Sequence, residues 1–193
     1  VITQSKFEKR LLILETATKL FVERGFHATP TSAITKEAGM SAGILFHYFK
    51  TKDDLIVQLY VDLKMEFTGS VLKDVDTLKA GISKLRLIWL NSWKWGLENP
   101  LKFDFLRQAD NSIYSEKIKS HPDIVEKYAW FCNYIETYKQ ERFVKNTDTI
   151  FIMNMMFGMI VAMVNQLRCK PELKTDTLFL EQAWEMFYNS LKP

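Results

Sequence analysis

Glycine and proline are scarce, seven and five in 193 residues. So few breakers leave little room for the closely spaced turns of an all-β fold, and long helices are favoured instead. Cysteine is scarcer still. Cys132 and Cys169 have no metal-ligand spacing and are too few for a disulfide framework; with no secretory signal, a reducing, cytoplasmic setting is expected. The three histidines, His27, His47 and His121, are scattered. With no H-E-x-x-H, no G-x-S-x-G and no phosphate-binding glycine loop, no enzyme, no cofactor and no metal are expected. The longest apolar run, Ile150–Val164, falls short of the roughly 18 to 20 residues that a membrane span needs, and Asn154 interrupts it, so no membrane partner is expected either. The chain opens on Val1 rather than methionine, as expected if a few native residues precede it.

What remains is an ordinary globular mixture, 47% hydrophobic and 25% charged, sufficient for one or two compact units with a real core. The net charge of +3 is mild but unevenly spread. Residues 1–52 hold eight Lys or Arg (Lys6, Lys9, Arg10, Lys19, Arg24, Lys36, Lys50, Lys52) against four glutamates. That surplus points to an anionic partner at the N-terminal end.

The apolar periodicity predicts an all-α fold. Phe7, Leu11, Leu14, Ala17, Leu20 and Phe21 make one stripe on a helix from about Ser5 to Arg24, with Gly25 as its left-handed terminator. Thr29-Pro30 reads as a cap and first helical residue. Gly39 stops that helix two turns later, Ser41 caps another short one through about Tyr48, and Thr51 caps a longer one opened by Asp53 and Asp54. Further helices are expected over Ile82 to Asn99, Leu101 to Asp110, onward from His121-Pro122, from Thr147-Asp148 to Lys170, and from Thr175 or Asp176 to the C-terminus.

Two short helices joined by A-G-M-S fit a helix-turn-helix. Ile34, Ala38, Leu45 and Phe49 are spaced to pack inward, while Ser41-Ala42-Gly43-Ile44 bring a small-residue helix end to the outside. Such an end can approach the floor of a DNA major groove. The run G-F-H-A-T-P-T-S-A-I-T-K-E-A-G-M-S-A-G-I-L-F-H-Y-F-K-T-K-D-D-L, with I-L-E-T-A-T-K-L-F-V-E-R-G before it, closely resembles the DNA-binding signature of tetracycline-repressor (TetR)-type regulators, from about Phe7 to Leu59.

The resemblance implies double-stranded operator DNA as partner. Thr29 and Lys52 are implied as phosphate contacts, Ala42, Gly43, Ile44 and His47 as groove or base contacts, and Phe46 and Tyr48 as backbone contacts, with Ser41 at the helix start. Two positions depart from the family: Phe46 stands where tyrosine is common, and Ala42 where a basic or polar residue is frequent. Base reading is therefore expected to lean on thymine methyl contacts and DNA shape.

Residues 1–51 are thus expected to form a DNA-binding domain and 52–193 an effector and dimerisation domain. Trp89, Trp93, Phe103, Trp130 and Tyr134, with Arg107 for polar selectivity, are candidates to line a pocket for a small, largely apolar effector; packing in a solid core is the alternative. Met155, Gly158, Met159 and Ala162 on the Met-rich helix, with Trp184 and Phe187 on the last, are expected at a homodimer interface, as the family resemblance implies. The expected role is a repressor released by its effector. A soluble carrier of hydrophobic molecules and a constitutive DNA-binding protein without effector are the competing readings.

Overall fold

The structure, a computed structural model, describes residues 6–79 and 81–193; Ser5, the expected start of the first helix, lies outside them. Ten α-helices and two short 3₁₀ turns form among the described residues, with no strand. They belong to two compact units, one holding the residues up to Met65 together with Pro100–His121, the other Glu66–Asn99 and Pro122–Pro193.

The first unit begins with α1 (Lys6–Arg24). Ile13, Leu14, Ala17, Leu20 and Phe21 are buried, but Phe7 and Leu11 are exposed, so the apolar stripe enters the core only from its second turn. Gly25 ends the helix at φ 81°, a conformation that costs glycine nothing. The next helix starts one residue later than expected. Pro30 is its N-cap, in extended conformation, and α2 spans Thr31–Glu37. Gly39, at φ 65°, makes the corner, where Met40 N donates to Thr35 O at 2.9 Å. α3 is Ala42–Tyr48 and α4 is Lys52–Val71. Thr51 caps α4 as the sequence suggests, its Oγ1 accepting from Asp54 N at 3.0 Å.

Against an expected boundary at residue 51, this unit also takes in the first turns of α4, α6 (Pro100–Asp110) and the five-residue α7 (Ser115–Lys119), which hydrophobic periodicity did not reveal. The reason is packing. Phe105 of α6 lies 6.2 Å from the Phe21 ring and 5.7 Å, edge-on, from Phe26. Polar ties follow the same seam. Arg10 pairs with Asp62 at 2.7 Å, and the Tyr60 hydroxyl donates to Asp110 at 2.6 Å. Burial, with the Asp110 carboxylate beside it, pushes the Tyr60 phenol well above its ordinary range, so it remains a neutral donor.

The second unit is built on α5 (Ile82–Glu98), α8 (Pro122–Gln140), α9 (Thr149–Cys169) and α10 (Thr177–Leu191). Asp148 and Asp176 cap the last two, accepting from Phe151 N at 2.7 Å and Phe179 N at 3.0 Å. α9 packs on α5, α8 and α10 and buries Ile152, Met156, Ile160, Met163, Val164 and Leu167. At 21 residues it is long and apolar enough to cross a membrane by length and composition, which the apolar run counted alone did not suggest. All five tryptophans fall in this unit.

Phe105, with no exposed surface, is the test of the α1–α6 seam. Phe105→Ala should destabilise the protein by about 3–5 kcal/mol, the usual range for emptying a buried phenylalanine site. Denaturant unfolding followed by circular dichroism would measure it; a loss under 1 kcal/mol would mean that α6 is not part of this core.

Candidate nucleic-acid interface

α3 has two turns and one fully buried side chain, Leu45. Phe49, just beyond it, is buried as well, its N–H closing on Leu45 O at 2.9 Å. These two anchors leave the other face outward. Ser41, Ala42, Gly43, Phe46 and His47 are exposed, and Ile44 and Tyr48 are half-buried. Gly43 has no packing reason to be glycine. A Cβ there would meet only Ser41 Oγ, at 3.9 Å, although glycine inside a helix is disfavoured relative to alanine by roughly 0.5–1 kcal/mol. Its value is on the outside, where it lets another surface come close.

An open cleft of about 370 Å³ runs beside this face, between the start of α1 and α3, lined by Lys6, Lys9, Ser41, Gly43, Ile44, His47 and Tyr48. Tyr48 pins the two elements together, its hydroxyl donating to Lys6 O at 2.7 Å. Lys6 and Lys9 are therefore neighbours of the exposed helix, which the sequence alone did not indicate. Their only signal was the basic surplus of the first 52 residues. The nearest acid on α2, Glu37, is held by Lys19 at 2.6 Å and Arg24 at 3.9 Å. The Lys19 hydrogen bond lowers the Glu37 carboxyl below its ordinary value and raises the Lys19 ammonium above its own, so both stay ionised together.

Thr29 does not stand where the sequence reading put it. It is completely buried, and its hydroxyl donates to Gly25 O at 2.8 Å and Leu20 O at 3.1 Å. It closes the turn between α1 and α2 and offers no side-chain atom to a phosphate. Thr31, half-buried, opens α2 instead. Lys52, in the first turn of α4, donates to Phe26 O. That contact fixes the ammonium at the N-terminal end of α4 while leaving two of its three donors for other acceptors.

The six candidate pocket residues are not one group. Phe103 and Arg107 lie on α6 in the first unit. In the second, Trp89 and Trp93 are buried on α5, and Trp89 packs against Trp184 at 5.6 Å and Phe187 at 6.1 Å. Trp130 of α8 is 42% exposed and stacks on Tyr134 at 5.5 Å, which packs on the Val71–Val75–Ile88 cluster. Trp93 Nε1 is buried without a hydrogen-bond partner.

The candidate interface residues divide by face. Met155, Gly158 and Ala162 are exposed along one side of α9, with Met159 half-buried. Trp184 and Phe187 point the other way, 7% and 1% exposed, because the rings of α5 take them into the monomer core. The outward residues of α10 include Leu178 and Met186, 67% and 70% exposed.

A helix-turn-helix with a small-residue reading face, on an otherwise helical chain, defines a class of DNA-binding regulators, and the likenesses to known proteins agree. The family described as "Bacterial regulatory proteins, tetR family" matches residues 13–59. An uncharacterised HTH-type transcriptional regulator of Haemophilus influenzae is 29% identical over 108 residues, 56% of this chain and 58% of its own. The fatty acid metabolism regulator protein of Bacillus subtilis is 28% identical over 85 residues, 44% of each chain. The matched stretch thus spans about half the length of these curated relatives. The crystal structure of a TetR family transcription regulator from Shewanella sp. PV-4 superposes with a TM-score of 0.86 at 26% identity, covering 96% of this chain and 98% of that one. Residues 13–59 thus match the TetR family, and the fold of nearly the whole chain is similar to that of a TetR family transcription regulator; the relatives named are regulators.

Two substitutions separate the inner from the outer residues of the motif. Thr29→Val should destabilise the fold by about 1–3 kcal/mol through the buried hydrogen bonds it removes, whereas Gly43→Ala should stabilise it by about 0.5–1 kcal/mol. Paired thermal melts measure both; a Gly43→Ala protein that melts below the unsubstituted one would overturn the assignment of Gly43 to the outer face.

Proposed function

We propose that the protein is a one-component transcriptional repressor that binds palindromic operator DNA as a homodimer and is released by a small, largely apolar effector. The observation that carries the DNA-binding reading is the outward face of α3, where small side chains and His47 lie beside Lys6 and Lys9. Ala42, Gly43, Ile44 and His47 face the groove, and Ser41, Phe46 and Tyr48 lie along the backbone with Lys6, Lys9 and Lys52. Thr29 is a positioning residue. The dimer reading is supported by the exposed sides of α9 and α10, which carry Phe151, Met155, Gly158, Ala162, Leu178 and Met186. Two short reading helices about 34 Å apart specify a palindrome that one alone would not.

The effector reading is supported by the aromatic packing around Trp89 and by the buried, unpartnered Trp93 indole N–H, which suits an apolar molecule bearing one acceptor. The effector's influence on DNA affinity is bounded by its differential affinity for the two states. A relative named for fatty acid metabolism makes long-chain fatty acids the first probes for saturable tryptophan quenching.

Footprinting on genomic fragments should yield a protected palindrome. With three lysines per protomer on phosphates, six per dimer, affinity should fall roughly 10³-fold between 50 and 200 mM salt. Diffuse, salt-insensitive binding would remove the regulator reading. Gly43→Ala should weaken operator binding at least tenfold while the fold is kept. Met186→Glu should convert the dimer to a folded monomer in sedimentation, since its side chain is outside the core; an unchanged dimer would move the interface elsewhere.

A further inference from the structure

We infer that the first unit carries a small-molecule site of its own, in the cleft between the α1–α2 turn and the α6–α7 turn, suited to a compact apolar ring bearing a hydroxyl. The cleft is open to solvent and has a volume of about 480 Å³, comparable with that of ligand pockets, and both its walls belong to one compact unit. Its base is aromatic. Phe26 and Tyr114 line it, and the Phe26 ring stands edge-on to Tyr114 at 5.3 Å and to Phe105 at 5.7 Å. Ile113 lies at the rim, 72% exposed, held there by a turn in which Ser112 Oγ accepts from Tyr114 N at 3.1 Å.

Gln108 is among the lining residues. Gln108 Oε1 is buried without a hydrogen-bond partner. A buried acceptor without a donor is a standing desolvation loss, recovered by any molecule that brings an O–H or N–H. Its neighbours are already engaged: Asn111 Nδ2 donates to Arg107 O at 3.0 Å and Ser112 Oγ to Ala109 O at 2.8 Å. Arg24, also in the lining, disfavours an ammonium as the donor, which leaves a neutral hydroxyl or amide N–H on an apolar body. The same turn presents Phe26 O to Lys52 and holds Thr29, just ahead of α2, to Gly25 O, so a molecule bound here leans on the residues that set the position of the helix-turn-helix.

A matched pair of probes tests this on the intact, ¹⁵N-labelled protein: 4-ethylphenol, and 4-ethylanisole, which has the same ring but no donor. The expected result is saturable shifts of the Gly25, His27, Ile113 and Tyr114 amides, with the ether bound roughly 3- to 10-fold more weakly. Gln108→Leu should bring the phenol down to the level of the ether. Ile113→Ser, at an exposed position that the fold does not need, should weaken both. No saturable shifts at these amides, shifts confined to the second unit, or equal binding of phenol and ether by the unsubstituted protein would each overturn the proposal. No DNA enters the measurement, so its failure and a failure of the regulator reading are distinguishable.

Discussion

The segment Gly25–Pro30 holds the first unit together, and the rest of that unit takes its geometry from it. Gly25 turns the chain in the left-handed region, and the Phe26 ring enters an aromatic group with Phe21, Phe105 and Tyr114. The Phe26 carbonyl receives Lys52, and the Thr29 hydroxyl ties the start of α2 back to α1. Six residues therefore link α1, α2, α4, α6 and α7. α3 needs such a frame, because a seven-residue helix with one buried side chain has no stability of its own in water. Its outer face can consist of small, poorly packing residues because its position is imposed from behind.

In the second unit the division of labour is between rigid and adaptable side chains. Rings fill the interior: Trp184 stacks on Tyr188 at 5.6 Å and on Phe187 at 5.8 Å, with Trp89 against them. The opposite sides of α9 and α10 carry methionine, glycine, alanine and leucine. Such residues let a helix approach another closely and fill irregular gaps without a fixed ring orientation. The interior is thus defined before any partner is present.

Local chemistry made much of this legible in the sequence. The caps at Thr51, Asp148 and Asp176 and the glycine turns at 25 and 39 are read from adjacent residues, and the structure has each in that role. The departures share a different cause. Thr29 and Thr31 flank one proline, and only the tertiary packing of the turn decides which is buried. Trp184 and Met186 are both apolar residues on one helix, and periodicity does not say which side meets α5. Phe103 and Arg107 are expected to share a pocket with Trp89 and Trp93 of α5, yet α6 packs on α1. Lys6 and Lys9 acquire meaning only from the cleft they share with α3, more than thirty residues away in sequence. The five residues of α7 are too few to show a period.

The confinement of all five tryptophans to the second unit gives the molecule a built-in optical reporter. Indole emission follows the second unit alone, while ellipticity follows the helices of both. Where the two signals change together on heating, the units melt as one cooperative body; where ellipticity falls before the indole band shifts, the DNA-binding unit opens first. The chain thus carries, without any label, the means to tell whether its two halves are energetically coupled.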